Sequence, residues 1–319
     1  MRIRLASATC VAALAAFLGA PPAQPQAKAE PTSGDPLLQA RTLAVEGKLV
    51  QSEDLLHELL SKQPSSADAH FLLGYVFFRE EKPRDSLAEF TAGARTRRPS
   101  ADDFRIIASD YVLLHDYGDA AKWFSEVAAE TPNDPEAWYL LGRAQYNNQS
   151  FRDAIVSFQH ALHLRPKYIE AENNMGLAWQ GLNQPTEAKA AFATAVEWQG
   201  GHPSDAQPFL NLGALLSQQN QVDRALHYLR IAAGLAPNNP KVHEELGRAY
   251  EDTGRLPEAG KELGKAAVLA PNVSALHYEL GRIYQREGFR DRAREQFAIC
   301  AQLNGSHSSA ETPDPFGPD

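Results

Sequence analysis

His160 and His163 are spaced so that two imidazoles share one face of a helix, a pattern that can offer two ligands to a metal. No acid or cysteine of suitable spacing joins them, so they read as two helix-surface residues and no metal is expected. His202 and His307 have no complementary partner in the sequence. The chain has no GxGxxG, phosphate loop, GxSxG, HExxH or CxxC. No stretch is left over to form a catalytic domain. The expectation is a non-enzyme that needs no cofactor. Three Asn-x-Ser/Thr triplets start at Asn148, Asn272 and Asn304, and they matter only in a host that glycosylates exported chains.

The first residues read as a processing segment. Arg2 and Arg4 precede the apolar run Leu5–Ala20, and Pro21, Pro22 and Pro25 break it. Ala27-Lys28-Ala29 fits the small-x-small rule, so residues 1–29 are expected to be a cleaved signal peptide. Cleavage after Ala20 would leave Pro21 behind the cut, which disfavours it. Retention as an anchor is the other alternative. Cys10 lies inside the run, which argues against a lipoprotein. Removing residues 1–29 takes away Arg2, Arg4 and Lys28 and no acid, leaving 28 basic and 40 acidic residues, a net charge of −12. That balance argues against nucleic acid and anionic membrane surfaces as partners. No second apolar stretch approaches spanning length, so no membrane insertion is expected after cleavage. Only Cys300 then remains, so an apolar core must hold the chain.

What builds that core is a repeat. Small residues recur at Ala40, Gly74, Ala108, Gly142, Gly176, Gly213, Gly247 and Gly281, at 34-residue intervals except for 37 between Gly176 and Gly213. Local text is shared: LLGYVF, LLGRAQY, NMGLAW, ELGRAY, ELGRIY. Twelve residues after each comes a second small residue, from Ser52 and Ser86 to Ala259 and Ala293. Four beyond that is a large apolar one, such as Phe90, Phe158, Leu229 or Phe297. Small residues let two helices approach, and the large one fills the space on the same face. Pro64, Pro99, Pro132, Pro166, Pro237 and Pro271 close their units. Gly47, Asn183, Asn220, Gly254 and Gly288 share the position where the first helix must end, and both residue types tolerate a left-handed cap. Pro83, Pro185 and Pro257 share the position where the second helix begins.

The chain resembles the tetratricopeptide repeat family over roughly residues 35–303, in its exported or periplasmic type. The family order of aromatic, Leu, Gly, Tyr, Ala, Phe, Ala and Pro is met in the fourth unit by Trp138, Leu141, Gly142, Tyr146 (one place late), Ala154, Phe158, Ala161 and Pro166. The resemblance implies an all-α fold, a right-handed superhelical α-solenoid of about eight antiparallel helix pairs. Around it are expected a short linker at 30–34 and a disordered tail at 304–319. The insertion Gly200-Gly201-His202-Pro203 suggests sub-blocks at 35–199 and 203–303.

The resemblance also implies that first helices line a concave groove that takes a protein or peptide partner. Carried over position by position, the groove would present Phe71, Tyr75, Arg79, Arg105, Tyr139, Arg143, Asn147 and Asn173. Rings with guanidinium and amide groups suit an extended peptide: rings cover apolar side chains, Arg pairs with carboxylate, and Asn holds backbone amides. In the C-terminal half the same positions are Glu244, Arg248, Glu251, Tyr278, Arg282 and Arg286, a mixed-charge set that reads as a solvated face. The function expected is a non-catalytic scaffold or adaptor, periplasmic or secreted. The alternative is an accessory substrate-docking subunit of an envelope enzyme or assembly complex.

Overall fold

Seven residues after each of the eight small residues, the backbone turns left-handed. The φ angles at Gly47, Glu81, His115, Gln149, Asn183, Asn220, Gly254 and Gly288 run from 57° to 85°. At each site the next amide donates to the carbonyl five residues back, at 2.8–2.9 Å, as Lys82 does to Phe77 and Ser150 to Gln145. This closes the first helix of the pair and satisfies carbonyls that a helix end leaves unpaired. At Glu81, His115 and Gln149 the stop is made without Gly or Asn, a strain of about 1–2 kcal/mol each.

The computed structural model describes residues 34–308, with side chains to 305. The signal peptide expected at 1–29 and residues 30–33 of the expected linker lie outside the described residues, as does 309–319. Among the described residues there are sixteen helices and no strand. They are α1 (Pro36–Val45), α2 (Leu49–Lys62), α3 (Ala67–Arg79), α4 (Pro83–Ala94), α5 (Ala101–Leu113), α6 (Tyr117–Glu130), α7 (Pro135–Asn147) and α8 (Phe151–Leu164). There follow α9 (Ile169–Gly181), α10 (Pro185–Gln199), α11 (Gln207–Gln218), α12 (Val222–Leu235), α13 (Pro240–Asp252), α14 (Leu256–Leu269), α15 (Ser274–Glu287) and α16 (Arg290–Ser308). First helices start on polar caps: the side chains of Asp35, Ser66, Ser100, Asp134 and Asn239 each accept an amide from the first turn.

Within a pair the small residue meets the large one sixteen places on. A Cβ built on Gly74, Gly142, Gly176, Gly213, Gly247 or Gly281 would lie 2.5–2.8 Å from the ring or branch of Phe90, Phe158, Phe192, Leu229, Leu263 or Phe297. Phe90, Phe158, Phe192, Leu229 and Leu263 are buried. Between pairs, a ring on the first helix grips the preceding turn. His70, His243 and His277 each present Nε2 to the carbonyl of a Pro six residues back, at 2.8–2.9 Å, and Nδ1 to Glu89, Glu262 or Gln296. Trp138 donates its Nε1–H to the Pro132 carbonyl at 3.0 Å in the same way. The closing Pro is thus an anchor point as well as a helix stop.

The chain divides into two compact units, one ending at Ala171 and one beginning at Glu172. The first has cores around Leu56, Leu73 and Phe77 and around Phe90, Phe104 and Phe124. The second is built on Phe192, Leu216, Leu229, Leu263 and Ile283. The sub-block boundary expected at 199–203 is therefore displaced: the division falls in the first turn of α9. The insertion lies inside the second unit, where the Gln199 side chain folds it. Its Nε2 donates to the Asp205 carbonyl at 3.0 Å, and its Oε1 accepts from the amides of Ser204 and Asp205. The last helix also outruns the expected end of the array. Residues 304–308, assigned to the tail by composition, continue α16, because Gly305 alone only weakens a helix.

Candidate protein-binding face

The first helices α3, α5 and α7 of the first unit bring together part of the row read from the sequence. Tyr75 is half-buried and Arg79 exposed; Arg79 Nη1 donates to the Tyr75 hydroxyl at 2.7 Å, with its guanidinium 5.8 Å from the ring centre. Tyr139 and Arg143 repeat the pairing on α7, guanidinium to ring at 5.7 Å. Arg105 on α5 donates to Asp134, the cap of α7, at 2.8 Å, and so ties the third pair to the fourth. Asn147 is half-buried in the last turn of α7.

Two members of the row are not on the face. Phe71 is only 5% exposed. Its ring lies 5.8 Å from Phe90, under the Arg97 guanidinium, and a Cβ added at Gly93 would strike it. It is a core ring whose space Gly93 provides. Asn173 is 4% exposed, belongs to the second unit, and its Oδ1 accepts from Nδ2 of Asn211 at 2.8 Å, while Asn211 Oδ1 accepts from Gln207 Nε2. That amide chain joins α9 to α11. Neither residue was distinguishable in sequence, since the carry-over fixes a helical position and not the size of the opposing residue.

Tyr168 was missed. It lies between helix pairs, after Lys167 with φ of 63°, outside the helical period. Its ring lies tilted 5.0 Å from Tyr139, under the Arg165 guanidinium at 4.3 Å, and its hydroxyl donates to Glu136 Oε2 at 2.5 Å. Burial and the Glu136 carboxylate both push the phenol pKa upward, so the hydroxyl remains a donor. Two acids beside these groups are engaged within the protein, Asp134 by Arg105 and Glu136 by Tyr168 and Arg165.

In the second unit the mixed charges form ion pairs between helices. Arg248 on α13 meets Glu244 and Glu279, and Glu251 accepts from both Arg282 at 3.0 Å and Arg286 at 2.6 Å on α15. Of the two histidines considered for a metal, His160 stacks on Trp138 at 4.3 Å and His163 is exposed. Among the described residues no group of three His, Cys, Asp or Glu side chains is placed to hold a metal, and no helix is long and apolar enough to cross a membrane.

Paired antiparallel helices with this spacing define an α-helical repeat protein. The tetratricopeptide repeat model matches residues 37–105, 107–169 and 210–274, more than half of the chain, and the chain belongs to that family. Proteins of this family act as protein-interaction scaffolds. An uncharacterized repeat protein of Arabidopsis thaliana is 27% identical over 46% of this chain and 18% of its own length. The BBSome complex member BBS4 homolog of Drosophila melanogaster is 24% identical over 64% of this chain and 43% of its own. The chain thus spans less than half the length of these relatives. Among solved structures, the type IV pilus biogenesis factor PilW superposes with a TM-score of 0.56 at 24% identity, covering 66% of this chain and 95% of that one. The C-terminal part of a repeat protein from Cytophaga hutchinsonii gives 0.59 at 14% identity, covering 76% and 99%. These likenesses show the fold.

Proposed function

We propose that the chain is an exported scaffold whose first unit holds an extended, partly acidic segment of another exported protein on the face of α3, α5 and α7. The observation that carries this reading is the repeated Arg-over-Tyr pair, Arg79 with Tyr75 and Arg143 with Tyr139, beside Asp134 and Glu136, which are engaged internally. Guanidinium groups held over rings meet a carboxylate with part of their freedom already spent, which lowers the ordering cost of binding. The ion pairs of the second unit leave its charges occupied by one another.

Arg79→Glu with Arg143→Glu is expected to reduce binding at least about tenfold in a library of extended acidic peptides, because such anchors are worth about 1–3 kcal/mol each. The pair Arg282→Glu with Arg286→Glu is expected to leave those affinities within about twofold, since its electrostatic effect is on Glu251. Loss of binding in the second variant alone would move the working face to the second unit. Truncating Tyr139 is a poorer probe, since its ring also packs 6.1 Å from Phe158. Export rests on the basic, apolar and small-residue order of residues 1–29. A reporter active only outside the cytoplasm, fused after residue 34, is expected to be active; full cytoplasmic retention would refute export.

A further inference from the structure

Two residues beyond the small residue of the first helix, six of the pairs carry an apolar side chain: Val76, Ala144, Ala178, Leu215, Ala249 and Ile283, all buried. The third pair carries Asp110, on α5, and it is 0% exposed. Its Oδ2 accepts from the Ser86 hydroxyl of α4 at 2.5 Å, while its Oδ1 is buried without a hydrogen-bond partner. A carboxylate enclosed this way, with one neutral donor and no cation, is costly; the neutral acid costs far less.

No surrounding charge offsets that cost. On α3, Asp68 meets Arg97, His70 meets Glu89 of α4, and Arg79 bonds Tyr75. On α4, Arg84 and Asp85 are exposed. On α6, Lys122 meets Asp119, and Glu126 and Glu130 meet Arg98, while Tyr117 meets His115. On α5 itself, Asp103 caps the helix with Ser100, Asp102 is exposed, and Arg105 is taken by Asp134. Tyr111 is half-buried beside it.

We propose that the joint between the second and third helix pairs is a proton-dependent contact, in which Asp110 is held against Ser86 as a neutral carboxylic acid and ionises only at the expense of the joint. Burial pushes the Asp110 carboxyl up from 3.8 to about 8, against the opposing pull of the Ser86 hydroxyl. The folded value lies above the unfolded one, so the folded chain holds the extra proton between them. The stabilisation is complete below about pH 4 and is lost as pH rises to about 8, beyond which it falls no further. Arg79 and Arg105 stand on the two sides of this joint, so its loosening would also part the face described above.

The test is urea unfolding of the full chain, in the first unit's transition, as wild type and as Asp110→Asn from pH 5 to 9. The unfolding constant of the wild type, divided by that of the variant, is expected to rise by up to about tenfold per pH unit and to level off near pH 8. Parallel pH profiles would overturn the proposal. If the variant does not fold, the wild type with carbon-13 in its aspartate carboxyl groups decides. One aspartate resonance titrating near pH 8 supports the proposal. Titration of every aspartate below about pH 6, where ordinary carboxylates lie, overturns it.

Discussion

Gly142→Leu is expected to destabilise the first unit by at least about 1–3 kcal/mol, read as a lower urea midpoint with an unchanged slope. A single Cβ at this site would already lie 2.7 Å from Cε1 of Phe158, and that ring is 0% exposed. The remaining atoms of Leu then force α7 and α8 apart along the line where the two helices are closest. Gly264→Ala should do the reverse. That glycine sits inside α14 with nothing within 4 Å of its Cβ position, so the substitution only removes the conformational freedom of glycine in the unfolded chain. It is expected to raise stability by about 0.5–1 kcal/mol. Two glycines in helices thus differ in sign because one faces a ring and the other faces solvent. An unchanged midpoint for Gly142→Leu would mean that α7 and α8 do not meet through Phe158.

This contrast marks how far the sequence could be read. Period and residue size are sequence properties, so the helix pairs, their closing prolines and the Gly-to-Phe contacts are legible from spacing alone. The left-handed stops were legible at Gly47, Asn183, Asn220, Gly254 and Gly288, and invisible at Glu81, His115 and Gln149, where eight equivalent turns impose the conformation on residues that do not favour it. The binding face was legible by helix position but not by depth. Tyr75 and Phe71 are both rings on α3, yet only the second has a glycine across from it to receive it. Tyr168 was hidden for the opposite reason, since it lies between helices and has no place in the period. The Asp110 substitution in a row of apolar residues is visible once the repeats are aligned, but its significance depends on Ser86, which only the packing brings to it.

His243→Ala is expected to cost about 3–5 kcal/mol at pH 7. The imidazole joins two acceptors. Nε2 must donate to the Pro237 carbonyl at 2.8 Å, and Nδ1 faces Glu262 Oε2 at 2.7 Å, with both side chains buried. Burial alone would raise the Glu262 carboxyl, but the hydrogen bonds from Lys265 and His243 outweigh it and hold it below 4.5. Glu262 is therefore ionised at neutral pH. Removing the ring leaves the carboxylate with Lys265 alone, at a site 46% exposed on the lysine side, and leaves the Pro237 carbonyl without its donor. The pH dependence separates this from simple loss of packing. A depressed folded pKa means that the stabilisation from Glu262 is present above about 4.5 and lost as pH falls through the lower folded value. The difference between wild type and His243→Ala should therefore shrink below about pH 4.5. His277 makes the same grip with a neutral partner, Gln296 at 2.8 Å and the Pro271 carbonyl at 2.9 Å. His277→Ala should cost only about 1–3 kcal/mol, and its cost should show no narrowing as Glu262 is protonated. Equal costs for the two variants across that range, in urea unfolding of the full chain, would show that the Glu262 charge adds nothing to the grip on the turn.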